Sequence, residues 1–131
     1  MNVVLDASAM VEVVLERPHA ERFRHAIQEA EVVLAPEVMV AEVTNAIWKY
    51  HRFEGLESAT CFRALEAAIA LPTAFVLNRE LASDALSLSM QAKTPAYDMF
   101  YLALARREKA LLLTMDAGLR KAAVRHGVRT A

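Results

Sequence analysis

The feature that most constrains the fold is a series of short apolar runs separated by longer amphipathic segments. The runs are unbroken and rich in Val and Leu, as is typical of strands that are buried on both faces of a parallel sheet. Four such strands are expected, followed by a short edge strand: Val3–Leu5, Val32–Ala35, Ala74–Leu77, Leu111–Thr114 and Val128–Thr130. Because parallel strands are joined by helical crossovers, the pattern predicts an α/β fold with helices on both faces of the sheet.

Length and composition exclude several classes of protein. The 131 residues predict a single domain spanning residues 1–131. No apolar run reaches about 18 residues and no signal-peptide pattern is present, so we expect a cytoplasmic protein without a membrane span. The lone cysteine, Cys61, fits a reducing compartment. None of the three glycines forms a Gly-rich loop after a strand, which argues against dinucleotide or P-loop nucleotide binding.

The charge is balanced in total but uneven along the chain. The net charge of -1 argues against a generic basic nucleic-acid binder. Residues 1–66 hold 11 acids and 6 bases, whereas residues 67–131 hold 5 acids and 9 bases. The bases from residue 106 onward are Arg106, Arg107, Lys109, Arg120, Lys121, Arg125 and Arg129. They form either a local phosphate-binding face or the solvated side of the last two helices, and the sequence leaves both interpretations open.

Four acidic residues are candidates for one shared site. Asp6 ends the first strand, and Asp116 follows the fourth strand. Asp98 lies in the first turn of a predicted helix, and Glu42 lies on the apolar face of a helix expected from Pro36 to about residue 53. Taken alone, the first two could simply cap helices, Asp98 could complement a helix dipole, and Glu42 could pair with an arginine.

The combination of these acids favours a site. If strands one and four are neighbours, the winding direction reverses between them and a crevice opens at the carboxyl edge of the sheet. Clustered carboxylates would repel one another unless a cation neutralised them. Oxygen ligands without nearby Cys or His suit Mg²⁺ or Mn²⁺, and the four histidines show no zinc spacing.

Four motifs in a fixed order carry a resemblance to a known family. They cover nearly the whole chain: Val4–Ser8, Pro36–Ala46, Ala96–Ala105 and Leu112–Leu119. In this order they resemble the motifs of PIN-domain ribonucleases, most closely the VapC-type toxins of bacterial toxin–antitoxin pairs. The resemblance implies a three-layer α/β/α PIN-like domain with a five-stranded parallel sheet in the order 3-2-1-4-5.

The resemblance also implies an activity and a set of site residues. It implies an endoribonuclease that cleaves RNA with Mg²⁺ or Mn²⁺. It also implies a cognate antitoxin that neutralises the protein, and pairing of the chain as a homodimer. The acidic positions of the family match Asp6, Glu42, Asp98 and Asp116, and the supporting polar positions match Ser8, Asn45 and Thr114. The alternative is a non-catalytic PIN-like module that binds RNA or a protein partner.

Overall fold

The computed structural model describes residues 1–131 and contains four strands and seven helices. The strands are β1 (Asn2–Leu5), β2 (Val32–Pro36), β3 (Ala74–Val76) and β4 (Leu111–Leu113). The helices are α1 (Ala7–Val14), α2 (Ala20–Glu29), α3 (Val38–Glu54), α4 (Ser58–Ala70), α5 (Asn78–Ala92), α6 (Ala96–Glu108) and α7 (Ala117–Arg125).

The sheet is fully parallel and has the order β3-β2-β1-β4. Strand β1 is therefore flanked by β2 on one side and by β4 on the other. Residues Leu5 and Leu113, the last of their strands, are partners in the register. The residues that follow them consequently leave the sheet side by side, at the point where the winding direction reverses. The predicted adjacency of strands one and four is confirmed.

The predicted fifth strand is wrong in extent. Residues 128–130 do not form a strand, and a single parallel bridge joins Leu112 to Thr130. The reason lies in the end of α7, because the N–H of Val128 donates to the carbonyl of Ala123 at 2.9 Å and completes that helix. Only the last residues are left to run beside β4, so the sheet has four strands where five were expected.

The expected start of the third helix is also wrong. Pro36 was expected to open the helix, but it is the last residue of β2, and α3 begins at Val38. Proline has no N–H, and its position lies beyond the last paired residues of β1 and β2, so no hydrogen bond of that ladder is lost. The N–H of Glu37 donates to the carbonyl of Val76 at 2.9 Å and keeps β2 attached to β3.

Two groups of helices enclose the sheet and form an α/β/α arrangement. Helix α1 packs against α2, α3 and α4, whereas α6 packs against α5, α7 and three strands. The core between them is one cluster of 32 buried residues. No helix is both long enough and apolar enough to cross a bilayer. The consequence for function is that the first turns of α1 and α7 lie at the same edge of the sheet, where β1 and β4 end.

Candidate active site

Asp6 lies at the centre of the polar residues that follow β1 and β4. Its side chain is only 4% exposed, and its backbone N–H donates to the carbonyl of Leu113 at 3.1 Å. The Oδ1 atom accepts from the N–H of Ala9 at 2.8 Å, so Asp6 caps α1 as its residue type favours. Burial raises the pKa of Asp6 despite the hydrogen bonds that favour its charged form.

Two hydroxyl groups tie Asp6 to the loop between β4 and α7. Ser8 Oγ donates to Asp6 Oδ1 at 2.6 Å and accepts from the N–H of Met115 at 2.9 Å. Thr114, which is fully buried, donates to Asp6 Oδ2 and accepts from the N–H of Asp116 at 2.9 Å. Each hydroxyl therefore bridges the carboxylate of Asp6 and a backbone N–H of the loop. The position of Asp116 is coupled in this way to that of Asp6.

Glu42 has a buried partner on another helix. It is half-buried on α3, and its Oε1 atom accepts a hydrogen bond from the hydroxyl of Tyr101 on α6. Tyr101 is 1% exposed. Burial and the neighbouring carboxylate raise the pKa of the Tyr101 hydroxyl, so it remains a proton donor at neutral pH. Asn45, which was expected to support Glu42, lies one turn further along α3 and is exposed.

Asp98 and Asp116 complete the acidic group. Asp116 caps α7, and its Oδ1 atom accepts from the N–H groups of Gly118 and Leu119 at 2.8 and 3.3 Å. Burial raises the pKa of Asp98 to about 6, with further contributions from the charges of Asp116, Glu42 and Asp6. The side chains predicted from the sequence to share a site are therefore close enough to repel one another.

None of the four acids has a cationic partner. Every ion pair within 4.0 Å involves other carboxylates, all of them outside this group. No three His, Cys, Asp or Glu side chains lie close enough together to surround one ion. The donor set nevertheless suits a hard divalent cation, since it consists of carboxylate oxygens with hydroxyl support and an uncompensated negative charge.

The predicted basic face is only partly near the acids. Arg106 and Lys109 lie at the C-terminal end of α6, which is about 12 to 16 Å along the helix from Asp98. Arg107 pairs with Glu80 and Glu108. Arg120 donates to the carbonyl of Thr114 at 2.7 Å and so has a structural contact beside the site. The structure does not bring these four bases together beside the acids, and their role in RNA binding stays a prediction.

Two features of this site were not predicted from the sequence. The first is Tyr101, which the pattern places on the packing face of α6, three residues after Asp98. Residues three apart on a helix are neighbours, so that spacing places the Tyr101 hydroxyl on the same helix face as Asp98. It could have suggested that Tyr101 belongs to the acidic site. The second is the grouping of Lys121 and Arg125, two of the predicted C-terminal bases, with Lys93 in one cavity that Asp98 and Asp116 also line. No local pattern indicates that set.

The fold agrees with comparisons to known proteins. The chain matches the PIN domain family over residues 3–125 and belongs to that family. It is 28% identical over 121 residues to Ribonuclease VapC3 of Pyrobaculum aerophilum, across 91% of this chain and 92% of that protein.

Among solved structures, the chain is similar to the crystal structure of PAE2754 from Pyrobaculum aerophilum, with a TM-score of 0.74 and 20% identity. That match covers 93% of this chain and 84% of the other chain, and it supports the fold alone. The resemblance drawn from the four sequence motifs is confirmed.

Proposed function

We propose that this protein is a toxin-type endoribonuclease that hydrolyses RNA phosphodiester bonds with the help of Mg²⁺ or Mn²⁺. The observation that carries the proposal is the group formed by Asp6, Glu42, Asp98 and Asp116, which lies at the switch point of the sheet without any cationic partner. A PIN domain and a relative named as a ribonuclease support the same activity.

The residues of the chain have distinct roles in this proposal. Ser8 and Thr114 hold both oxygens of Asp6, and Tyr101 fixes one oxygen of Glu42, so two carboxylates are oriented before any ligand arrives. Asp98 and Asp116 line an open cavity, in which they would meet the substrate. When bound, a divalent cation lowers the pKa of a water molecule and neutralises charge on the phosphate. In-line attack by water is expected to leave a 5′-phosphate and a 3′-hydroxyl.

The activity is tested by replacing Asp6 with Asn. Asparagine is also a good N-cap, so α1 should keep its start while a negative charge is removed from the site. Cleavage of single-stranded RNA in the presence of Mg²⁺ should be abolished, and a chelator should abolish it in the wild type. The matched control is Asp84→Asn, an exposed aspartate on α5, which should cleave normally. Full cleavage by Asp6→Asn would refute the proposal.

Metal binding is measured separately by calorimetric titration with Mn²⁺. Saturable binding that is lost in Asp98→Asn would support a metal centre formed by these carboxylates. If the wild type binds RNA but neither binds Mn²⁺ nor cleaves RNA, the protein is instead a non-catalytic PIN-like binding module.

We further propose a cognate antitoxin and a homodimer as partners, and a cytoplasmic location. Exposed aromatic side chains support a protein partner, since Trp48, Phe53 and Phe62 are 52%, 71% and 66% exposed. Co-expression with a small open reading frame adjacent to the gene should relieve growth arrest caused by this chain. Light scattering of the purified protein distinguishes a monomer from a dimer, and a monomer at all concentrations would contradict the homodimer.

A further inference from the structure

A basic cavity opens beside two of the four acids. It has a volume of about 350 Å³, and its lining includes Asp98 and Asp116 together with Lys93, Lys121 and Arg125. The three bases come from different parts of the chain, the C-terminal end of α5 and two turns of α7. All three are exposed, and none lies within 4.0 Å of a carboxylate oxygen. Their charges are therefore free to meet a ligand.

We propose that Lys93, Lys121 and Arg125 bind backbone phosphates of the RNA strand next to the phosphate that is cleaved. This inference rests on the proposed function, because it assigns the neighbouring part of the same substrate. The phosphates of an RNA strand that reaches the acids are repelled by the negative charge of those acids. Bases in the same cavity offset that repulsion. Contacts of this kind position the strand and carry no base information.

The backbone at Lys93 supports this role. Lys93 ends α5 in the left-handed region, with φ 54°, where glycine is more easily accommodated. The turn is held on both sides, since Ser89 Oγ donates to the carbonyl of Thr94 and the N–H of Thr94 donates to the carbonyl of Ser89 at 3.3 Å. A lysine side chain is thus presented to the cavity from a fixed turn, at a position where glycine would be the less strained residue.

A second basic cavity in the same chain provides a matched control. It has a volume of about 190 Å³ and is lined by Arg106, Lys109 and Arg129, with no acidic residue. Lys109 ends α6 in the same left-handed conformation, with φ 51°. It lies about 16 Å along α6 from Asp98. The two lysines therefore share residue type, exposure and backbone conformation, and they differ in their distance from the acids.

The test compares Lys93→Gly with Lys109→Gly in fluorescence anisotropy with a short labelled single-stranded RNA of mixed sequence. Both are made on an Asp98→Asn background, so that RNA stays intact under the proposed function. Glycine suits both backbone positions, and thermal unfolding should show that neither variant is less stable than its parent. A third variant, Lys121→Gln with Arg125→Gln, removes the two charges of α7.

We expect Lys93→Gly and the α7 double variant to weaken RNA binding severalfold, irrespective of RNA sequence. Lys109→Gly should have a clearly smaller effect, because Lys109 lies far from the acids. Combining Lys93→Gly with the α7 double variant removes all three charges. In that protein the slope of log affinity against log salt concentration should be smaller by about 2, since each phosphate contact on a single strand contributes about 0.7. In the cleaving protein, Lys93→Gly should raise KM and leave kcat unchanged.

Equal effects of Lys93→Gly and Lys109→Gly would overturn the inference, as would unchanged binding in all variants or no RNA binding by the parent protein. Failure of the proposed function has a different signature. In that case the wild type does not cleave RNA with Mg²⁺ or Mn²⁺, while the binding differences among the basic variants are still measured.

Discussion

Replacing Asp98 with Asn should stabilise the metal-free protein at pH 8. The carboxylate is half-buried beside three other acids, and its pKa is raised from 3.8 to about 6, mainly by burial. The folded protein therefore holds the proton of Asp98 more tightly than the unfolded chain does. Above pH 6 the side chain is charged in both states, and the whole unfavourable contribution of that charge is present in the folded state. The contribution fades as the pH falls through 6 and disappears below 3.8.

The expected magnitude follows from the same pKa values. Each tenfold change in proton affinity corresponds to about 1.4 kcal/mol, so a pKa change from 3.8 to about 6 gives an upper limit of about 3 kcal/mol. Because Asp98 is partly exposed, water screens the repulsion, and we expect about half of that value. For 131 residues the unfolding entropy is about 0.3 kcal/mol/K, so the Tm should rise by about 5 °C.

The assay is thermal unfolding of the wild type, Asp98→Asn and the exposed control Asp84→Asn in a chelator, between pH 4 and pH 8. The stabilisation by Asp98→Asn should grow with pH, vanish near pH 4 and be absent in the control. Adding Mn²⁺ should raise the Tm of the wild type and not that of Asp98→Asn, since a ligand stabilises the state that binds it. A variant that is less stable than the wild type at pH 8 would refute the reasoning that a partly buried charge beside other acids destabilises the fold.

Three further substitutions each test one residue of the site or of the core. Tyr101→Phe removes the hydrogen-bond donor to Glu42 and keeps the aromatic ring. Titration with Mn²⁺ should show that the variant binds the ion about tenfold more weakly, or more weakly still. Unchanged affinity for Mn²⁺ would contradict the role of Tyr101 in positioning Glu42. Gly118→Ala places a Cβ 3.2 Å from Asp116 Oδ1. Urea unfolding should show less than the gain of about 0.5–1 kcal/mol that alanine gives in a helix interior, because the new Cβ disturbs the cap formed by Asp116, while RNA cleavage falls. A full gain with normal cleavage would show that Asp116 is not displaced. Phe23→Ala removes a fully buried ring and should lower the free energy of unfolding in urea by about 3–5 kcal/mol. A smaller loss of stability would mean that the core collapses into the space left by the ring.

The parallel sheet and the placement of acids at its carboxyl edge could be predicted from the order of elements in the chain, whereas the adjacency of strands one and four came from the family resemblance. Apolar runs between helices indicate a parallel sheet, and acids placed after strands meet at its carboxyl edge. The details that failed depend on tertiary contacts. Val128 belongs to a strand-like run, yet its N–H completes α7. Pro36 is tolerated at the end of β2 because β1 does not pair that far, although β3 still does.

The partners of the acids were harder to predict for a related reason. Tyr101 has the sequence character of a core residue, and it reaches Glu42 only because α3 and α6 approach each other at the carboxyl edge. The bases were grouped by their position in the chain, which places Arg106 and Lys121 in one set. Folding separates them, since Arg106 lies in the last turn of α6 and Lys121 lies beside the acids. Local sequence does not encode that separation.

The single bridge at Thr130 has a consequence for self-association. The outward-facing backbone groups of the edge strand β4 have hydrogen-bond partners. The N–H of Leu112 donates to the carbonyl of Arg129, and the carbonyl of Leu112 accepts from the N–H of Ala131. Just after the strand, the guanidinium of Arg120 donates to the carbonyl of Thr114. An edge strand without such partners is a template for another chain. Removing residues 129–131 should therefore promote strand-to-strand aggregation of otherwise folded molecules, so these last residues act as a cover that keeps copies of the sheet apart.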